Sequence, residues 1–278
     1  MKKIIAAFDG LKYAEGTKQF ALYLAKKTNA HLVGVFLDDE LYTSYKVYQL
    51  LAEKKLVNDV IKKAQGKDKN VRAAAAKNFE AACRKAGISY SIHHDPNIAV
   101  QEMIHESIYA DLLMMYAGET FTHYKEPRPT LFVRDLLGDI QCPVLLLPKR
   151  FASFKRVIIL YDGAPSSVYA IKIFSYLLPQ LRNLPTEVFS VYQKDAVPHL
   201  ADGKSMKEFM QGYYPKAKYT LKKGATEEVI VKYLKTLGKD TLVVLGAYKR
   251  GTVSRWFRES MADILMHKTE LPLFVAHN

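Results

Sequence analysis

A repeated pattern of short apolar segments constrains the fold of this chain more than any other feature. Three segments recur in the same order in the two halves of the sequence: Ile4–Gly10 with Val157–Gly163, Asp111–Tyr116 with Asp240–Leu245, and Cys142–Leu147 with Leu271–Ala276. Each is an apolar run of the length of a buried strand, and the first pair ends in Asp-Gly, which is typical of a turn. The self-similarity predicts two copies of one domain, and a chain of 278 residues is long enough for two.

Amphipathic patterns separate the apolar runs. In the second copy, apolar residues recur at spacings of three and four from Ile171 to Leu181, which predicts a helix. Ser166 or Ser167, which follow Pro165, are expected to cap the start of this helix. Buried strands that alternate with amphipathic helices predict an α/β fold, in which a parallel sheet is covered by helices on both faces.

The spacing of the repeats defines the domain organisation. We predict a first domain at 1–150 and a second at 151–278, joined by a short basic linker. Fewer residues separate the two copies of each later segment than separate the two copies of the first segment. The first domain must therefore contain an insertion after its first segment. We place it at about residues 41–76, a segment that is predicted to be rich in helix.

Composition excludes several classes of protein. No apolar run is long enough to span a bilayer, which takes about 20 residues, so no transmembrane segment is expected. Two cysteines, Cys83 and Cys142, do not make a disulfide framework or a metal motif, and free buried thiols in the cytoplasm are expected. The net charge of +13 favours anionic partners, but the basic residues are scattered and do not outline a nucleic-acid groove.

Candidate ligand-binding residues follow the predicted strands. Ligands of open parallel sheets bind beyond the carboxyl ends of the strands. Asp9-Gly10 and Asp162-Gly163 follow the first strand of each copy, and Val191 lies at the end of a second strand. The most informative stretch begins at Gly246 and includes Lys249, Arg250 and Gly251. Glycines allow tight turns, and the start of the next helix, near Ser260, offers N–H groups to a phosphate.

Together, the Asp162-Gly163 turn, the strand from Leu242 to Leu245 with Gly246 after it, and the terminal Leu271–Val275 strand resemble the universal stress protein family. The resemblance covers nearly the whole chain twice, as in tandem two-domain members. It implies two tandem Rossmann-like domains of the adenine nucleotide alpha hydrolase-like type, each a five-stranded parallel sheet with helices on both faces. It also implies that the domains form an intramolecular pseudo-dimer through their last strands, Val144–Leu147 and Leu273–Ala276. A further homodimer is left open.

The resemblance also implies a site, because many members bind ATP. Their phosphates lie on a Gly-x-x-Gly, nine residues, Gly-Ser/Thr loop, of which this chain keeps Gly246 and Ser260 but has Lys249 and Glu259 at the other glycine positions. At the four motif positions the first copy has Ala117, Thr120, Thr130 and Leu131. Its site at Asp9 and Gly10 is therefore expected to be degenerate. The candidate nucleotide site, with ATP and magnesium as candidate ligands, is Asp162, Gly163, Val191, Gly246, Lys249, Arg250, Gly251 and Ser260.

The function predicted from the sequence is a non-catalytic stress-response module that binds ATP or another adenine nucleotide in its second domain. Catalysis is not expected, because the chain has neither a P-loop nor a Gly-x-Ser-x-Gly motif. His93 and His94 are neighbours on a predicted strand and would point to opposite faces, so they are not expected to share a metal. Two alternatives remain: an interaction scaffold that binds no nucleotide, and a basic nucleic-acid-binding protein.

Overall fold

A computed structural model describes residues 1–9, 13–37, 57–95, 99–120, 126–151, 153–192, 200–247 and 260–277. The strands are β1 (Lys3–Phe8), β2 (His31–Leu37), β3 (Tyr90–Asp95), β4 (Leu112–Tyr116), β5 (Val144–Leu147), β6 (Arg156–Leu160), β7 (Thr186–Tyr192), β8 (Lys218–Lys223), β9 (Thr241–Ala247) and β10 (Leu273–His277). The helices are α1 (Glu15–Thr28), α2 (Val57–Ala86), α3 (Ala99–Ser107), α4 (Leu131–Asp139), α5 (Pro165–Leu177), α6 (Gly203–Tyr213), α7 (Thr226–Leu234) and α8 (Met261–Lys268), with a 3₁₀ turn at Pro179–Leu181. The order of the elements confirms the predicted α/β class.

The strands form one ten-stranded sheet in the order β3-β2-β1-β4-β5-β10-β9-β6-β7-β8. We call β1–β5 with α1–α4 the first half, and β6–β10 with α5–α8 the second half. Strands within each half pair in parallel, whereas β5 and β10 pair antiparallel, with Leu145 opposite Phe274. The expected contact between the last strands is therefore present. The domain boundary after residue 150, and the equivalence of the two halves to two subunits, stay predictions.

Helices cover both faces of the sheet. Side chains alternate along each strand, so that Ile4 and Ile5 of β1 enter different cores. One core lies under α1, α2, α5 and α6, and the other lies under α3, α4, α7 and α8. Each core contains residues of both halves, so the apolar layers continue across the β5–β10 junction.

The insertion lengthens one helix. The helix between the second and third strands has 30 residues in the first half (α2) and 11 in the second half (α6). Residues 57–76 of the predicted insertion thus lie within α2, and residues 41–56 lie outside the described residues.

The predicted serine cap of α5 is wrong. The helix begins at Pro165 with Ala164 as its N-cap, and Ser166 and Ser167 lie inside its first turn. The Ser167 hydroxyl donates to the Ala164 carbonyl at 2.7 Å and does not accept a helix N–H. Proline starts the helix earlier because its fixed φ suits the first helical position, where its missing N–H costs nothing.

Candidate functional site

Each half has one place where the strand order reverses, between β1 and β4 in the first half and between β6 and β9 in the second. Crevices for ligands form beyond the carboxyl ends of the strands at such points. We call these places the first crevice, which contains Asp9 and Glu119, and the second crevice, which contains Asp162 and Gly246. Because β5 and β10 are antiparallel, the carboxyl ends of the strands in the two halves point in opposite directions. The two crevices therefore lie at opposite edges of the sheet, where an edge means the side at which the strands end.

The second crevice begins with the turn after β6. Asp162 is exposed, and its Oδ1 accepts a hydrogen bond from the Ala164 N–H at 2.9 Å. Gly163 has a φ of +86°, and a Cβ there would lie 2.6 Å from the Cβ of Ala201. The turn therefore requires glycine for both conformation and space, and it leaves the Asp162 carboxylate accessible.

Gly246 lies where β9 meets the first turn of α5. A Cβ at this position would lie 2.2 Å from the Ser166 carbonyl oxygen and 2.6 Å from the Ser167 nitrogen. The absence of a side chain thus allows α5 to pack against the end of β9. The sequence pattern suggested Gly246 as part of a phosphate loop, and the structure adds a packing role for it.

Val191 is half-buried near the end of β7, and Lys222 of β8 lies beside it in the strand register. Lys222 and Lys223 are both exposed. In the first half, the residue beside the equivalent Leu37 is Asp95. The second half therefore has a basic residue where the first half has an acidic one, which sequence reasoning missed because it depends on register.

Ser260 caps α8 through a reciprocal pair of hydrogen bonds. Its Oγ accepts from the Asp263 N–H at 3.1 Å, and its own N–H donates to Asp263 Oδ2 at 2.9 Å. A capping box of this kind uses two of the N–H groups that a helix start would otherwise offer to an anion. A phosphate at α8 would have to compete with the Asp263 carboxylate.

Several predicted site residues lie outside the described residues. These are Gly10, Lys249, Arg250 and Gly251, together with Glu259. The structure therefore brings together Asp162, Gly163 and Gly246 in one crevice, with Val191 on the neighbouring strand and Ser260 at the start of α8.

The first crevice is filled by buried charged residues. Asp9 follows β1 and is fully buried, and Glu119, which follows β4, is 1% exposed. The Glu119 carboxylate accepts from the backbone N–H of Thr120 at 3.2 Å and, over a longer distance of 3.4 Å, from that of Asp9. Its carboxylate thus closes the space between the ends of β1 and β4.

Arg72 supplies positive charge beside Asp9. This residue of α2 is 8% exposed. Burial lowers the pKa of the Arg72 guanidinium, and the charge of Asp9 opposes that shift. An arginine stays protonated in proteins, so the crevice combines buried charges of both signs.

The strand register corrects the predicted match between the two copies. Leu112 lies beside Ile4 in the first half, and Leu242 lies beside the equivalent Val157 in the second. Gly246 therefore corresponds to Tyr116 rather than to Ala117. The sequence match is one residue out of step here.

The same shift pairs Ser260 with Thr130. The Thr130 Oγ1 caps α4 by accepting from the Val133 N–H at 3.2 Å. The prediction that the first copy keeps none of the motif positions is therefore wrong for the hydroxyl.

His93 and His94, which are neighbours on β3, lie in different surroundings. His93 contacts Glu106, whereas His94 stacks on Phe36, so the neighbouring histidines do point apart. Within the described ranges no three His, Cys, Asp or Glu side chains are placed to hold a metal ion. Cys83 and Cys142 are free and buried, as predicted. None of the helices in the described part of the chain is long and apolar enough to cross a membrane.

Known proteins that are similar to this chain match it over nearly its whole length. No family model matches it. A universal stress protein of Synechocystis sp. is 23% identical over 98% of this chain and 99% of its own length. A universal stress protein structure from Archaeoglobus fulgidus matches 99% of the chain and 98% of its own with a TM-score of 0.67 and 16% identity. The whole chain is therefore similar to universal stress proteins in sequence and in fold.

The universal stress protein fold extends over both halves. A structure of a putative universal stress protein from Pseudomonas aeruginosa covers the whole of this chain and 93% of its own, with a TM-score of 0.62 and 15% identity. Matches of this length fit the tandem arrangement, with two Rossmann-like halves in one chain. At these identities the solved structures establish the fold alone.

Proposed function

We propose that this chain is a universal stress protein homologue, a non-catalytic module that binds an adenine nucleotide in its second crevice. The observation that supports this most is the contrast between the two acidic residues. Asp162 is exposed at the end of β6, whereas the equivalent Asp9 is fully buried beside Glu119 and Arg72. An accessible carboxylate at the point of strand reversal can accept hydrogen bonds from ribose hydroxyls.

The charge around the second crevice supports an anionic ligand. Lys222 lies beside Val191, on the strand next to β7, and Lys249 and Arg250 follow β9 in the sequence. Lys222 thus lies two strands from the Asp162 turn, and the sequence adds two further basic residues directly after β9. A nucleotide would place its sugar at Asp162 and its phosphates towards the segment that follows Gly246.

The absence of catalysis is part of the same proposal. A general base must lie within hydrogen-bond reach of the proton that it removes. Asp162 accepts from a backbone N–H, and burial raises the pKa of Tyr161, whose hydroxyl donates to the Ala201 carbonyl at 3.1 Å. Neither arrangement, in the part of the chain that the structure describes, suggests proton transfer. A cytoplasmic location and a further homodimer stay predictions.

The test is thermal unfolding of the purified chain with ATP, ADP or AMP, with and without magnesium, beside the variants Asp162→Asn and Asp240→Asn. Ligand at about 100 times its Kd should add roughly 2.7 kcal/mol to the free energy of unfolding. Asp162→Asn keeps an oxygen for the Ala164 N–H and removes the charge, so we expect about tenfold weaker binding, or about 1.4 kcal/mol.

Asp240 is the matched control, because it is an acidic residue of the second half at the opposite edge of the sheet, where it pairs with Lys155 at 3.4 Å. Asp240→Asn should leave the nucleotide effect unchanged. If no nucleotide stabilises the chain, the proposal is wrong.

An interaction scaffold is the second candidate function, and the Ser260–Asp263 capping box favours it. A carboxylate that already occupies the start of α8 reduces what that helix can offer a phosphate. Unchanged unfolding temperatures with every nucleotide would support this alternative.

A further inference from the structure

Glu119 lies where a ligand of the first crevice would be expected. It follows β4, it is 1% exposed, and its carboxylate faces the backbone N–H groups of Asp9 and Thr120. Backbone N–H groups that converge on one carboxylate between two strand ends form an anion-binding arrangement. In this half, the anion belongs to the chain itself.

The backbone of Glu119 is held as well as its side chain. Thr130 Oγ1 donates a hydrogen bond to the Glu119 carbonyl and caps α4 at the same time. Glu119 therefore connects the end of β1, the loop after β4 and the start of α4. These are the three parts of the fold that surround the crevice.

The corresponding residue of the second half has the opposite charge. The strand register and the equivalence of Thr130 and Ser260 pair Glu119 with Lys249, which lies outside the described residues. One half thus has a carboxylate at this sequence position and the other has an ammonium group. A half with a lysine at this position can attract an external anion, and a half with a glutamate already contains one.

The insertion provides the balancing charge. More residues separate Arg72 from the C-terminal end of α2 than α6 contains in total. Arg72 therefore belongs to the part of α2 that has no helical counterpart in the second half. It is buried beside Asp9. Two buried carboxylates in one crevice would repel each other, and the Arg72 guanidinium beside Asp9 offsets that repulsion.

We propose that Glu119 is a built-in anionic ligand, which occupies the first crevice and, with Arg72 from the lengthened helix, holds this half in a ligand-bound form without any external molecule. The crevice is then a site for a small carboxylate or phosphate, filled by the chain itself. This inference does not depend on nucleotide binding in the second half.

The test is chemical rescue in the full-length chain without nucleotide. Glu119→Ala should lower the midpoint of thermal unfolding by several degrees, because the buried N–H groups of Asp9 and Thr120 lose the carboxylate that they contact. Sodium acetate or phosphate should restore at least half of that loss, whereas sodium chloride at equal ionic strength should not. An unchanged or higher midpoint in Glu119→Ala, or equal rescue by chloride, would overturn the proposal.

Glu126→Ala is the matched control. Glu126 belongs to the same loop and also accepts a backbone N–H, that of Leu131 at 2.9 Å, but it is partly exposed. It should show no selective rescue by acetate, and selective rescue as large as that of Glu119→Ala would contradict a specific site.

Glu119→Gln gives a second measurement if the alanine variant does not fold. The amide keeps one oxygen acceptor but not the charge, so the peptides that contain Asp9 and Thr120 should exchange amide hydrogens faster than in the unmodified chain. Unchanged exchange in this variant would overturn the proposal. Nucleotide binding by the second half should be the same in Glu119→Gln as in the unmodified chain, which keeps the two proposals separate.

Discussion

Single residues in this protein often have a different role from the one that their motif suggests. Gly246 matches a phosphate-binding glycine, yet its Cβ position is already taken by the backbone of Ser166. Asp9 and Asp162 stand at matching sequence positions, but one is buried and the other is exposed. A motif thus identifies positions of interest, and the surrounding atoms decide what each residue can do.

Gly246→Ala should destabilise the protein even without ligand. The new methyl group would lie 2.2 Å from a backbone oxygen, which cannot move without shifting α5. We expect a loss of about 1–3 kcal/mol in the free energy of unfolding, measured by urea denaturation.

Gly212→Ala is the control for this experiment. No atom lies within 4 Å of the Cβ position there, and the residue belongs to α6. Its replacement should be neutral or stabilise the chain by about 0.5 kcal/mol. Equal effects of the two substitutions would contradict the packing role, and a Gly246 variant is therefore a poor probe of nucleotide binding.

At the scale of elements, helix α3 is tied to two strands by one carboxylate. Glu106 contacts Lys3 of β1 at 3.1 Å and His93 of β3 at 2.6 Å. Burial raises the pKa of Glu106, but the hydrogen bonds and charges of Lys3 and His93 outweigh burial, so its pKa lies below the ordinary value of 4.5. Folding therefore favours the ionised carboxylate.

This arrangement predicts a dependence on pH. A lowered pKa contributes stability that is present above the ordinary value of 4.5 and is lost as the pH falls through the lower folded value. Glu106→Gln should cost about 1–2 kcal/mol near neutral pH and less in acid, as measured by urea unfolding at several pH values. The exposed Glu227 of α7 serves as control, and a Glu106→Gln penalty that stays constant into acid would refute this explanation.

At the scale of the whole molecule, the antiparallel β5–β10 pair makes two repeats into one sheet. Both apolar cores include residues from each half, and the linker also packs, since Phe154 contacts Phe20 with ring centroids 4.9 Å apart. The two crevices lie at opposite edges as a consequence. We therefore expect the halves to unfold together.

A cavity in one half should reveal this coupling. Phe174 of α5 is fully buried and contacts Phe274 of β10 at a centroid distance of 5.2 Å. Phe174→Ala should lower the free energy of unfolding by about 3–5 kcal/mol. Hydrogen exchange should then accelerate in β1 and β4 as well as in β6 and β9. Loss of protection confined to the second half would show that the halves unfold independently.

The sequence by itself determined the α/β class, the repeat and the strand that precedes each Asp-Gly turn, because these depend on local apolar periodicity and on turn residues. It also indicated Asp162 and Gly163, whose conformation is a local property of the turn. It failed where registers differ by one residue, as with Tyr116 and Thr130, because spacing along the chain does not define which residues lie side by side.

Only the tertiary structure decided that Asp9 is buried while the equivalent Asp162 is exposed. Glu119 and Arg72 are far apart in the sequence, and neither belongs to a recognisable motif, yet both are buried at the end of β1. The burial of a charge depends on what surrounds it from other elements. The chain therefore encodes two similar folds, and tertiary packing makes their ligand sites different.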